Sequence, residues 1–194
     1  MFYVEHATNE ALTRAMNDKT VTDVLMIDSD ESWTPEDAVR ILMHPDEVVG
    51  GAYRKKNGWE HYTANLAPSD GDNPEGKMLD DGTALLCADG LPGGFLRLQT
   101  TALRKFHDAY PEARRKAAND VVNTTFFSEW TDPETGTPFS SDLGFCKRLQ
   151  AIGVPLWVDP MLKIDHWGIT KYEGDFDKYL RDQLTFDTVR KMAR

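Results

Sequence analysis

The stretch TDVLMID, residues 22–28, is a short aliphatic run that breaks off on Asp28-Ser29-Asp30. Val24, Leu25, Met26 and Ile27 follow one another without polar alternation. A run so short and so apolar fits a strand covered on both faces of a sheet better than it fits a helix. A helix start comes next: Thr34 at the N-cap, Pro35 at the first helical position and Asp37 in the first turn, then Ala38, Ile41 and Leu42 on one face. Pro45 ends that helix, and VVGGAY, residues 48–53, reads as a second strand. Strand, helix and strand in this order predict a βαβ unit with parallel strands. Asp28 then stands at a carboxyl strand end, where ligands gather in open α/β sheets.

The rest of the chain extends this α/β reading. Val4, Ala7, Ala11, Leu12 and Met16 recur at helical spacing over residues 4–18. Residues 67–82 are rich in Gly, Asp and Pro and predict a long exposed loop. GGFLRLQ, 93–99, is a strand entered through a glycine pair, and TTALRKFHDAY after it is a helix. Residues 126–140 are irregular. Ser140 or Ser141 caps a helix carrying Leu143, Cys146, Leu149 and Ile152, which Gly153 closes before the strand VPLWVDP. No repeat or linker divides the chain, so residues 1–194 read as one domain, able to bury about 70% of its unfolded surface.

Charge narrows the partners. Lys plus Arg number 22 against 32 Asp plus Glu, a net charge of -10, which repels a nucleic-acid backbone. A small phosphorylated ligand needs a metal ion or a local basic cluster to offset that field. Arg54-Lys55-Lys56 is such a run, or else a solvated turn. No stretch approaches about 18 apolar residues, and the first ten residues have neither a basic region nor an apolar core. A cytoplasmic protein without a membrane span is expected, with Cys87 and Cys146 as core thiols.

Several residues carry chemistry. Asp28 and Asp30 are two apart, on one face of a strand and roughly 6.5 Å from each other. Where the strand curls, a magnesium or manganese ion bridges such oxygens; otherwise Asp28 caps a turn and Asp30 is solvated. Asp142 opens a helix, where the dipole alone accounts for a carboxylate, or it serves as a general base. His166 is a third metal ligand or a histidine satisfied by Asp165. Gly93 and Gly94 allow a ligand close to the backbone, or merely begin a strand. Trp33, Trp59, Trp130 and Trp167 lie near polar loops, where an indole stacks on a sugar ring or is simply half-buried.

In their order, VLMIDSDESWTPEDAVRIL, VVGGAYRKK, GGFLRLQTTALRKF, FFSEW and SSDLGFCKRLQAIGVPLWVDPMLKIDHWG resemble nucleotide-sugar glycosyltransferases of the GT-A fold. The likeness is to short glycosyltransferase-like proteins of phages, large viruses and bacteria, and it spans about residues 6–178. It implies a Rossmann-like, mixed but mostly parallel sheet flanked by helices. It further implies a UDP- or GDP-sugar donor, a glycan or other hydroxyl acceptor, and a manganese or magnesium ion. By resemblance the metal ligands are Asp28, Asp30 and His166, the donor is bound by Asp28, Ser29, Asp30, Arg54, Gly93 and Gly94, and Asp142 is the base.

Three departures accompany the resemblance. Ser141 replaces the first acid of the family's Glu-Asp pair, Ala7-Thr8-Asn9 stands where relatives often carry Arg-Asn, and the βαβ portion that holds the nucleotide base has no counterpart before the first helix. An N-terminally shortened domain is therefore expected, with an oligomer or partner chain completing the site. Two rival functions are a non-catalytic sugar- or nucleotide-binding module and a haloacid-dehalogenase-like phosphatase. The phosphatase needs a later acidic pair after another apolar strand, whereas Asp80-Asp81 of this chain sits in a polar loop.

Overall fold

The computed structural model describes residues 2–68, 75–80, 82–116 and 122–183. The chain runs through α1 (Phe2–Asn17), β1 (Asp23–Ile27), β2 (Glu31–Ser32), α2 (Pro35–Leu42), β3 (Val48–Gly50), β4 (Asn65–Leu66), β5 (Gly76–Met78), β6 (Ala84–Gly90) and β7 (Phe95–Gln99). It continues through α3 (Thr100–Ala109), β8 (Arg114–Lys116), β9 (Val122–Thr124), β10 (Trp130–Thr131), β11 (Pro138–Phe139), α4 (Ser141–Ala151), β12 (Trp157–Val158), β13 (Asp165–Trp167) and β14 (Lys171–Tyr172).

The helix starts follow local chemistry. Thr34 and Asp37 form a reciprocal capping box, Asp37 N–H donating to Thr34 Oγ1 at 3.2 Å and Thr34 N–H to Asp37 Oδ2 at 3.0 Å, with Pro35 at the next position. The other Asp37 oxygen accepts Lys163 N–H at 3.1 Å, which ties the 159–164 loop to the start of α2. Gly153 ends α4 at φ +78°, a backbone conformation glycine adopts without strain.

Among the described residues the main sheet has seven strands in the order β1-β7-β3-β12-β6-β4, with β5 also on β6. Only β3 and β12 pair in parallel there; β1–β7, β7–β3, β12–β6, β6–β4 and β6–β5 are antiparallel. This corrects the mostly parallel, Rossmann-like GT-A sheet expected from sequence. β1 and β3 do run in the same direction across α2, but they are not partners, because β7 lies between them and pairs antiparallel with both. Apolar patterning reports which faces a strand buries and is silent on the direction of its neighbour, and a strand 45 residues further on supplied the partner here. Three small sheets, β10–β11, β8–β9 and β14–β13–β2, complete a mixed, mostly antiparallel fold.

Alternation along the strands serves two cores. Val48, Leu96 and Leu98 point into the larger one, where Phe106 from α3 and Phe126 and Phe145 meet at ring separations of 5.3 to 6.2 Å. Val49 and Phe95 point the other way, onto Ile41 of α2 and Leu162 and Ile164. β1 divides likewise, Val24 and Met26 toward the first core and Leu25 toward the second. Because it is the outermost strand, Asp23 to Met26 are only half-buried and Ile27 is exposed, less burial than its unbroken aliphatic run predicts.

Part of the predicted 67–82 loop is β5, hairpinned onto β6; residues 69–74 and 81 lie outside the described residues. The predicted irregular stretch 126–140 contains the β10–β11 pair. Cys146 is buried, its thiol pushed up to about 12 chiefly by burial, while Cys87 is half-buried. Among the described residues no helix is long and apolar enough to cross a membrane.

Candidate functional site

Strand register assembles the site. The β1–β7 ladder ends with Ile27 opposite Phe95, and Asp28 N–H then donates to Gly94 O at 2.8 Å, so the acidic end of β1 lies against the glycine pair. Gly93 N–H donates to Asp142 Oδ2 at 3.2 Å, which brings the first turn of α4 to the same glycines. A turn closed by Glu31 N–H to Asp28 O, 3.2 Å, leads into β2. There β13 pairs with β2, His166 opposite Glu31, and Trp167 N–H donates to Asp30 O at 2.7 Å. Trp167 Nε1–H reaches Ser32 Oγ at 2.9 Å. Residues from four distant stretches thus meet at one end of β1.

His166 has a fixed orientation. Its Nδ1 lies 2.9 Å from the Arg54 carbonyl oxygen, and since a carbonyl only accepts, Nδ1 carries the proton. Nε2, the other ring nitrogen, faces Asp30 Oδ2 at 3.8 Å. Two groups that each bind a cation at about 2.1 Å stand about 3 to 4.2 Å apart, which brackets this separation. Asp28 stands beside them, close enough for the Asp30 carboxylate to raise the cost of ionising it. Among the described residues no group of three or more His, Cys, Asp or Glu is disposed to hold a metal ion. Asp30 and His166 supply two donors at a spacing that suits one cation, so phosphate oxygens and water would have to fill the rest of its shell, as they commonly do for magnesium.

Each acid has its own environment. Partial burial and then Asp30 push the Asp28 carboxyl up, against His166 and Lys56. The Lys56 ammonium donates to Asp30 Oδ2 and holds Asp30 below the usual carboxylate range. Burial, then Asp28, pushes Glu31 up to about 8. Both Glu31 oxygens are enclosed, and neither meets hydrogen-bond geometry with a partner, although the Tyr53 phenol is adjacent. Tyr53 is itself raised above the ordinary phenol range by burial and by Glu31, Asp28 and Asp142. Burial raises Asp142 as well, opposed by the Gly93 N–H bond and reinforced by Asp28.

Gly94 is required by this crowding. A Cβ there would lie within 3.0 Å of Glu31 Oε1, Tyr53 Oη and Asp28 Oδ2. At Gly93 a Cβ would press on the Asp142 carboxyl at 3.3 Å.

The structure brings Asp28, Asp30, His166, Gly93, Gly94 and Asp142 together, with Ser29 exposed between the two aspartates. Arg54 is placed differently. It contributes its carbonyl to His166, while its side chain bears on Tyr62 and its Nε is buried without a hydrogen-bond partner. Lys56, two residues on, supplies the cationic contact. Glu31 and Tyr53 were not singled out from sequence; they are the residue after the D-x-D and the last residue of VVGGAY, and only strand pairing makes them neighbours.

No protein-family model matches the chain, and no curated protein matches it. Among solved structures, A197 from STIV is similar at a TM-score of 0.49 with 15% identity, over 86% of this chain and 68% of that one.

Proposed function

We propose that the protein is a cation-dependent glycosyltransferase that moves a sugar from a nucleoside diphosphate sugar to an acceptor hydroxyl, in the cytoplasm. The observation that carries this reading is the convergence of Asp28, Asp30 and a tautomer-fixed His166 on one side of Gly93-Gly94, with Asp142 on the same glycines. Asp30 and His166, with Asp28, would hold a manganese or magnesium ion. When bound, that ion neutralises the charge that builds on a departing diphosphate. The chain's own residues do the rest. Asp142 takes the proton of the acceptor hydroxyl as its oxygen attacks the anomeric carbon, and the bond from that carbon to the diphosphate breaks. The raised basicity of a buried carboxylate favours this role, and the Gly93 N–H keeps it aimed.

Thermal denaturation with UDP and GDP, with and without manganese, tests the reading. Stabilisation that requires both nucleotide and metal, and that Asp30→Ala abolishes, is the expected result; no response to either nucleotide overturns it. Release of free sugar from UDP- or GDP-sugars then separates an enzyme from a binding module, which would bind without turnover.

A further inference from the structure

The Lys56 ammonium and the His166 Nε2 face the same atom, Asp30 Oδ2. Lys56 donates a hydrogen bond to it, and the imidazole faces it at 3.8 Å. An ion bound between Asp30 Oδ2 and His166 Nε2 would sit beside the ammonium, and like charges that close on one oxygen repel strongly. Neighbouring Asp28 adds a second carboxylate to the same corner, so the ammonium balances charge there while the cation is absent.

Lys56 is built to move. It lies on the hairpin 54–62, held by Lys55 N–H to His61 O at 2.7 Å and by the Arg54–Tyr62 bridge, so its backbone is fixed. The side chain passes Gly168, where an added Cβ would touch Lys56 Cδ at 3.3 Å, and it remains 32% exposed. A flexible stem that crosses a residue without a side chain lets the ammonium swing without disturbing the fold.

Resting on the cation-site reading above, we propose that Lys56 and a divalent cation are alternative occupants of one position on Asp30. Lys56 counters Asp30 in the free protein and passes to the diphosphate when the cation takes its place. Lys56 is then a diphosphate-binding residue as well as a competitor of the metal, and its removal shifts two affinities in opposite directions.

Calorimetric titration of manganese alone, and of UDP and GDP into manganese-saturated protein, tests this in Lys56→Ala and Lys56→Arg. In Lys56→Ala, manganese is expected to bind about fivefold tighter and the diphosphate about fivefold weaker, the upper end of the range for one exposed ion pair. Lys56→Arg keeps the charge and stays nearer wild type in both. Manganese binding that is unchanged, weaker or absent in Lys56→Ala overturns the proposal, as does undiminished diphosphate affinity. If the wild-type protein binds manganese and nucleotide and the opposite shifts fail, only the role of Lys56 falls. If the wild type binds neither nucleotide, the transferase reading falls with it.

Discussion

Asn9 and Phe127 exchange two hydrogen bonds, the Asn9 side-chain amide donating to Phe127 O and Phe127 N–H donating to Asn9 Oδ1, both at 2.8 Å. The side chain imitates a strand partner, in a buried position, and fixes α1 to the segment after β9. Asn9→Ala leaves a backbone donor and acceptor unsatisfied, so a loss of about 2–4 kcal/mol is expected in urea denaturation. Asn9→Asp keeps the bond from Phe127 N–H and loses the other.

Gly94→Ala forces a methyl group into the Glu31, Tyr53 and Asp28 corner. It should cost about 1–3 kcal/mol, by the general cost of overpacking. The metal-dependent response to nucleotide should also disappear, since Asp28 must shift. In a Glu31→Ala background the stability cost of Gly94→Ala shrinks, which a double-mutant cycle reads directly.

Glu31 gives the stability a pH dependence of definite sign. Its carboxyl ionises near 4.5 in the unfolded chain and near 8 in the fold, so between these values the native state keeps a proton that the unfolded state has lost. The contribution of Glu31 is therefore present below the unfolded value and falls as pH rises through the native one. Glutamine does not ionise. Between about pH 5 and pH 9, Glu31→Gln should gain about 1–2 kcal/mol relative to wild type, allowing for partial solvent screening. Urea denaturation in a chelator isolates this from metal binding.

Asp142→Asn keeps an oxygen for the Gly93 N–H and removes the base. Transfer or donor hydrolysis should fall at least about 100-fold, while nucleotide affinity in manganese stays within about twofold. A matching loss of affinity would instead make Asp142 a binding residue.

Asp159 is wholly buried and accepts from Arg40 Nε at 2.5 Å, His44 Nε2 at 2.8 Å and Met161 N–H at 2.9 Å. Asp159→Ala leaves these donors unpaired in the loop that precedes β13, at a cost of about 3–5 kcal/mol in urea denaturation. The effect on nucleotide binding should follow stability alone.

Much of the site was legible because its residues punctuate elements. The D-x-D ends an aliphatic run, the glycines open β7, Asp142 opens α4, and each was placed where it is found. What the sequence did not encode locally was pairing. β7 intervenes between β1 and β3, and β2 and β13 are too short for any periodicity, yet these pairings decide that Glu31, Tyr53 and Lys56 border the aspartates. The seven-residue β6 was missed for a related reason: ALLCADG mixes small, apolar and charged residues without a clean period. Arg54 and Lys56 are equivalent in composition, and only the hairpin geometry separates the one bearing on Tyr62 from the one reaching Asp30.

The strand that carries His166 is recruited across 135 residues, the separation of Trp167 from the Ser32 hydroxyl it holds. During synthesis the imidazole leaves the ribosome long after the two aspartates. Until it docks, the acids repel one another in water, where high dielectric makes that repulsion cheap. Lys56 is available as a counter-charge well before this strand arrives, and enclosure waits for β13 to dock on β2, so a half-made chain never has to bury its acids unaccompanied.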